Sequence, residues 1–144
     1  MQVGRAHPND LSMIWTHLGP QIRRGLTKGA GDTMTERWLF DGVMNGELDL
    51  WIVHDGSEIL AGIFLQILER ERGKVLFVVD IVAGSGHGFK DYAEYMLPKL
   101  REYGDMIGAY TIESHSRLGA ARLLQRLGCK PKAMIMELGN GQST

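Results

Sequence analysis

Three glycines alternate through Gly84-Ser85-Gly86-His87-Gly88, directly after a β-branched run that starts at Val78 and directly before an amphipathic helix. Such a segment can cradle an anion. Without side chains in the way, successive backbone N–H groups converge, and the helix N-terminus adds partial positive charge, which suits a phosphate or pyrophosphate. His87 stands where it could donate to a phosphate, and Lys90 on the first helical turn could offset its charge; the plain alternative for both is a solvated surface position. A Rossmann dinucleotide site fits less well, because Gly84-x-Gly86-x-x-Phe89 lacks the third glycine and the preceding strands read as antiparallel. No Lys-Ser or Lys-Thr pair follows, so the segment is not a Walker A loop.

Asp80 interrupts an apolar strand, where simple alternation puts it on the same face as Leu76, Val78 and Val82. If that face is buried, the carboxyl pKa should rise, which suits a general base. Otherwise Asp80 is a strand-end carboxylate paired with a neighbouring N–H. Glu113 and His115 fall where a strand meets a helix. Glu113 could assist a base or hold a cation, and His115 could exchange protons near neutral pH; alternatively the segment caps the helix through Ser114 or Ser116. Cys129 reads as a small buried hydrophobe rather than a nucleophile. His54, His87 and His115 offer no ligand pair at helical or loop spacing, so no metal site is expected.

The elements that must position these residues follow from periodicity. Gln2 to Arg5 reads as a short strand, and Pro8-Asn9-Asp10 supplies a turn and an N-cap. Leu11, Ile14, Trp15, Leu18 and Ile22 form the stripe of a first helix that continues to about Leu26, with Pro20 interrupting or kinking it. Residues 28–32 form a connector, after which Thr33 and Glu36 have capping-box spacing for a second helix packed through Trp38, Leu39 and Val43. From Asp49 the period changes to that of strands. Runs over 49–53, 58–68 and 74–82, separated by Asp55-Gly56 and a charged turn over 69–73, predict an antiparallel meander. Phe89, Tyr92, Ala93, Met96, Leu97, Leu100 and Tyr103 then line one face of a helix. Beyond it the pattern predicts a strand over 107–113, a helix over 116–127, a strand over 132–138 and a frayed tail over 139–144, with residues 1–138 as a single domain.

Composition bounds the function classes. With 144 residues, 44% of them hydrophobic, the chain can bury a real core. Its 16 basic and 17 acidic side chains nearly cancel, which argues against nucleic acid or an anionic membrane as the main partner. One cysteine excludes an internal disulfide. There is no signal-type apolar segment and no run near the roughly 20 residues that span a bilayer. A soluble, cytoplasmic protein is expected.

The order strand, two helices, three antiparallel strands, glycine loop, helix, strand, helix, strand resembles the GCN5-related N-acetyltransferase (GNAT) superfamily over almost the whole chain. The motifs resemble it too: Val3-x-Arg5-Ala6 with Asp10-Leu11 at the start, Ala83-x-x-Gly86-x-Gly88 in the loop, and Ala120, Leu123, Gly128 and Cys129 along the last helix and its exit. Ala83 replaces the usual polar first position of the loop motif, while Arg117 and Leu124 replace the usual Asn and Tyr. Short divergent members of this kind occur in tailed phages and prophages, and the chain is similar to them.

The resemblance implies an α+β fold, an α/β three-layer sandwich with a mixed, mostly antiparallel sheet of about six strands flanked by four helices. It implies acetyl-CoA as co-substrate, held by Ile81, Val82, Ala83, Gly84, Ser85, Gly86, His87, Gly88, Phe89 and Lys90, with Arg117 toward the 3′-phosphate. An amine acceptor would attack the thioester directly, with Asp80 as base and Glu113 and His115 beside it; Leu124 cannot act as the general acid that the family's Tyr often provides. The alternative is a GNAT-like binding or assembly protein, virion-associated or otherwise, that no longer transfers acetyl groups. The chain has no residues for the family's usual seventh strand, which implies an open sheet edge that a second copy or a protein partner would cover.

Overall fold

The computed structural model describes residues 1–28, 34–56, 58–83, 88, 91–114, 125, 126, 128–132, 138 and 139. Among them lie five strands and three α-helices: β1 (Gln2–Arg5), α1 (Leu11–Lys28), α2 (Glu36–Met44), β2 (Asp49–Asp55), β3 (Glu58–Arg70), β4 (Gly73–Ala83), α3 (Ala93–Ile107) and β5 (Ala109–Ser114). The strands form one sheet in the order β1-β2-β3-β4-β5. Pairing is antiparallel from β1 to β4, and β5 runs parallel to β4, joined to it across α3. A mixed α+β fold is therefore present. The expected helix over 116–127 and strand over 132–138 fall mostly outside the described residues, as do all but residue 139 of the tail.

Most of the stripe that spacing announced in each helix is buried. Leu11, Ile14, Leu18 and Ile22 of α1 and Leu39 and Val43 of α2 pack on one face of the sheet, against Leu50, Ile59, Phe64 and Val82. On the other face, Tyr92 and the α3 residues Met96, Leu100 and Tyr103 cover Val53, Ala61, Ile63, Leu65, Leu76 and Val78. Helix α1 is not interrupted at Pro20, which lies inside it. Its burial on the sheet outweighs the lost backbone bond.

Several local expectations need correction. A 3-10 turn over Pro8–Asp10 precedes α1, and its cap is His7, whose Nδ1 accepts from the N–H of Asn9 at 3.1 Å; Asp10 lies inside the turn. Helix α2 is capped by Thr35, whose hydroxyl accepts from the N–H of Trp38 at 3.1 Å, and Thr33 lies outside the described residues. Glu36 makes no capping box. Its carboxylate instead accepts from Trp15 Nε1 at 2.7 Å and from Arg23 Nη1 at 2.6 Å, which ties α2 to α1. Trp38 is not core but 41% exposed, on the outer side of α2. Cys129 is exposed as well. Helix α3 continues past Gly104 to Ile107 and stops where Gly108 adopts φ 77°, so β5 begins at Ala109. Gly104 is buried against Ile112 and Leu76, where packing holds the helix that composition alone would end.

At the β1–β2 edge, Asp49 accepts from the Tyr103 hydroxyl at 2.5 Å and also pairs with Arg5. Burial and that hydrogen bond push the Tyr103 phenol up to about 12. Trp51 stacks on the same ring at 5.1 Å. This polar seam fixes the C-terminal half of α3 on the sheet, and so sets the direction from which its N-terminus meets the end of β4.

Candidate active site

The site is organised by an irregularity in β4. Val78 stands opposite Leu65, yet Phe64, one residue back on β3, stands opposite Asp80, so Val79 is an extra residue in β4, a β-bulge. A bulge reverses the alternation beyond it. Leu76 and Val78 pack under α3, whereas Asp80 lies with Phe64 and Val82 on the α1–α2 face. The expectation that Asp80 shares a face with Leu76 and Val78 is therefore wrong, although its grouping with Val82 holds. Asp80 is half-buried beside an aromatic corner in which Trp15 packs edge-on against Phe64, at 6.0 Å, and Phe40, at 5.1 Å.

The second feature is the reach of β4 beyond its last described pair with β5. The β4–β5 ladder ends with Val78 opposite Ser114, while β4 continues for five more residues to Ala83. Along Val79–Ala83, β3 pairs on one side and no described strand pairs on the other. Antiparallel pairing uses only alternate backbone groups of a strand, so the remaining N–H and C=O groups of this stretch point away from β3. Ile81 and Ala83 face α3, and Val82 faces α1.

The chain leaves Ala83 into the glycine segment. Gly84, Ser85, Gly86, His87, Phe89 and Lys90 lie outside the described residues, as do His115 and Arg117. Gly88 is described, and its N–H donates to Asp91 Oδ2 at 2.9 Å while its carbonyl accepts from the Asp91 N–H at 3.0 Å. One of the expected anion donors is thus already engaged by a carboxylate. The spacing Gly88-x-x-Asp91 was the available signal for it, because a short acidic side chain reaches backbone N–H groups a few residues away. Beside it, burial and then the charges of Asp91 and Glu58 raise the pKa of Tyr92.

Glu113 lies on β5 opposite Phe77, whose β3 partner Gln66 is two positions from Phe64 opposite Asp80, so it is set back from Asp80 by roughly 7 Å along the sheet and by one strand across it. It does not adjoin Asp80. Its carboxylate accepts from Arg70 Nη1 at 2.6 Å and also pairs with Lys132. The hydrogen bond from Lys132 and the pairing with Arg70 outweigh desolvation and lower its pKa. A carboxylate held ionised in this way is a weak base, and its charge is already met by two cations. Arg70 and Lys132 were not singled out from sequence, since they lie 43 and 19 residues from Glu113 and nothing local links them. Because the folded-state pKa is depressed, the pairing contributes fully above the unfolded value and is lost as pH falls through the folded one. Glu113→Gln should therefore cost about 1 kcal/mol at pH 7, the upper range for partly exposed pairs. Urea unfolding should show that difference shrinking as pH falls below 4.

No family model matches the chain, and no curated protein matches its sequence. Solved structures do. One described as a probable acetyltransferase matches with a TM-score of 0.75 at 12% identity, over 100% of this chain and 99% of that one. A GCN5-related N-acetyltransferase from Ralstonia eutropha JMP134 matches with a TM-score of 0.73 at 18% identity, over 97% and 99%. A predicted acetyltransferase from Clostridium acetobutylicum, solved with acetyl-CoA, matches with a TM-score of 0.70 at 14% identity, over 96% and 95%. The chain has the GNAT fold. Among its described residues no helix is long and apolar enough to cross a membrane. In this fold the bulge at Val79 sets Asp80 on the α1–α2 face of the sheet, while Ile81 and Ala83 face α3.

Proposed function

We propose that the protein is an acetyl-CoA-dependent N-acyltransferase acting on an amine. The observation that carries this reading is the stretch of β4 beyond Val78, which among the described residues is paired by β3 on one side, carries Asp80 on its α1–α2 face and leads directly into the glycine segment. An extended amide-containing arm fits there as an added strand would, and a thioester carbonyl at its end would be polarised by backbone N–H groups that need no reorganisation. Residues 84–88 would meet the pyrophosphate. Asp80 takes a proton from the ammonium of the acceptor, directly or through one water, and the neutral amine nitrogen attacks the thioester carbon. The C–S bond breaks, CoA leaves as its thiolate, and the proton released by the new amide returns to that sulfur through solvent. Positioning and carbonyl polarisation supply most of the rate, a mechanism that operates without the side-chain acid that Leu124 cannot be.

A GNAT-fold binding protein without transfer activity is the second reading, favoured by Ala83 in the loop motif and by the engagement of Gly88 with Asp91. Calorimetric titration with acetyl-CoA and, in parallel, with CoA separates the two. Saturable binding followed by amine-dependent release of free thiol is the expected result. A folded sample that binds neither would overturn the enzyme reading.

A further inference from the structure

Glu113 is a poor seat for a cation because Arg70 and Lys132 already cover it, and that same fact gives the cluster a net positive charge. Its carboxylate side chain is 13% exposed, whereas those of Arg70 and Lys132 are 41% and 65% exposed. The anion lies beneath and the two cations face outward. Register fixes where this charge sits. Glu113 lies beside Phe77, which shares the α1–α2 face with Asp80 because the bulge at Val79 has reversed the alternation between them. Phe77 and Val79, the residues along β4 between the two charged positions on that face, are both half-buried. One face of the sheet thus carries an acid and, roughly 7 Å farther back along β4 and one strand across, a cationic pair, with a partly exposed apolar strip between.

Resting on the acyltransfer reading, we propose that the acceptor is an amine that also carries a carboxylate about 8 Å from its nitrogen, the nitrogen at Asp80 and the carboxylate on Arg70 and Lys132. Opposite charges at the two ends set the direction in which the acceptor lies, so that only one of its ends reaches the thioester. The guanidinium of Arg70 can meet a second carboxylate through donors that Glu113 leaves unused, since it offers five N–H groups and gives Glu113 a bond from Nη1. A tripeptide covers the required distance without full extension, since each residue reaches at most about 3.3–3.6 Å.

The test compares triglycine with triglycine amide, which differ in the terminal carboxylate, as acceptors with acetyl-CoA, following release of free thiol. The expected result is a kcat/KM at least about tenfold higher for the acid than for the amide, and an acid-to-amide ratio that falls toward one in Arg70→Gln and, separately, in Lys132→Gln. Equal turnover of acid and amide would overturn the proposal while leaving acetyl transfer standing. Binding of acetyl-CoA with transfer to neither peptide would overturn it too. A folded protein that fails to bind acetyl-CoA at all would overturn the acyltransfer reading and this proposal with it.

Discussion

Asp80→Asn should lower kcat for amine acetylation by about 10²–10⁴-fold, the usual contribution of a positioned general base, while acetyl-CoA affinity stays within about twofold. At about 1.4 kcal/mol per factor of ten, the loss is roughly 3–5 kcal/mol of transition-state stabilisation. Asn keeps the size and one carbonyl oxygen of the side chain, so the aromatic corner of Trp15, Phe40 and Phe64 is left intact; what disappears is the capacity to take a proton. The split between the two readouts follows from placement, because Asp80 lies on the α1–α2 face, whereas in the proposed function the cofactor contacts the β4 backbone and the glycine segment. Raising pH should narrow the deficit, since a growing fraction of the acceptor arrives already as free amine. Unchanged kcat in the variant would remove Asp80 from the mechanism, and parallel loss of binding and turnover would make its role structural.

The fold was legible because its elements obey simple periods. Residues 2–5 are a strand as expected, the helix stripes at Leu11, Ile14, Leu18 and Ile22 and at Met96 and Leu100 are buried, and Gly56 adopts φ 59° at the first hairpin. Where expectation failed at an element's end, a tertiary contact had overruled a local signal. Glu36 satisfies Trp15 and Arg23 instead of its own helix terminus, and Gly104 fills a narrow contact that needs no Cβ. The candidate site was less legible for two reasons. The run Val75-Leu76-Phe77-Val78-Val79 is apolar throughout, so it contains no alternation from which a change of parity could be noticed, and no glycine marks the bulge. The charges around Glu113 come from three separate parts of the chain. A single carboxylate in a sequence shows no partners, and its basicity depends on them.

The bulge offers a test that no side-chain replacement can make. Deleting Val79 should leave the fold in place and reduce acetyl transfer by more than about 100-fold. Val78 opposite Leu65 and Asp80 opposite Phe64 are the pairs on either side of it, so removing the extra residue makes the ladder continuous without shifting either half. Asp80 keeps its place on the α1–α2 face, and Val82 keeps its contacts with the α1 core. What changes is direction. A bulge bends its strand and increases local twist, and here it stands next to Val78, the last β4 residue with a described β5 partner. A straightened β4 would turn the backbone groups of residues 80–83 out of the direction the bulge gives them. Acetyl-CoA affinity should fall together with turnover, which distinguishes this loss from that in Asp80→Asn. Val79→Ala is the control: it retains the extra residue, so calorimetry should return an affinity within a few-fold of the parent. A deletion variant that is folded by circular dichroism and still binds acetyl-CoA normally would show that cofactor binding does not depend on the bulge, and the β4 edge would then no longer suffice to explain how a thioester is held.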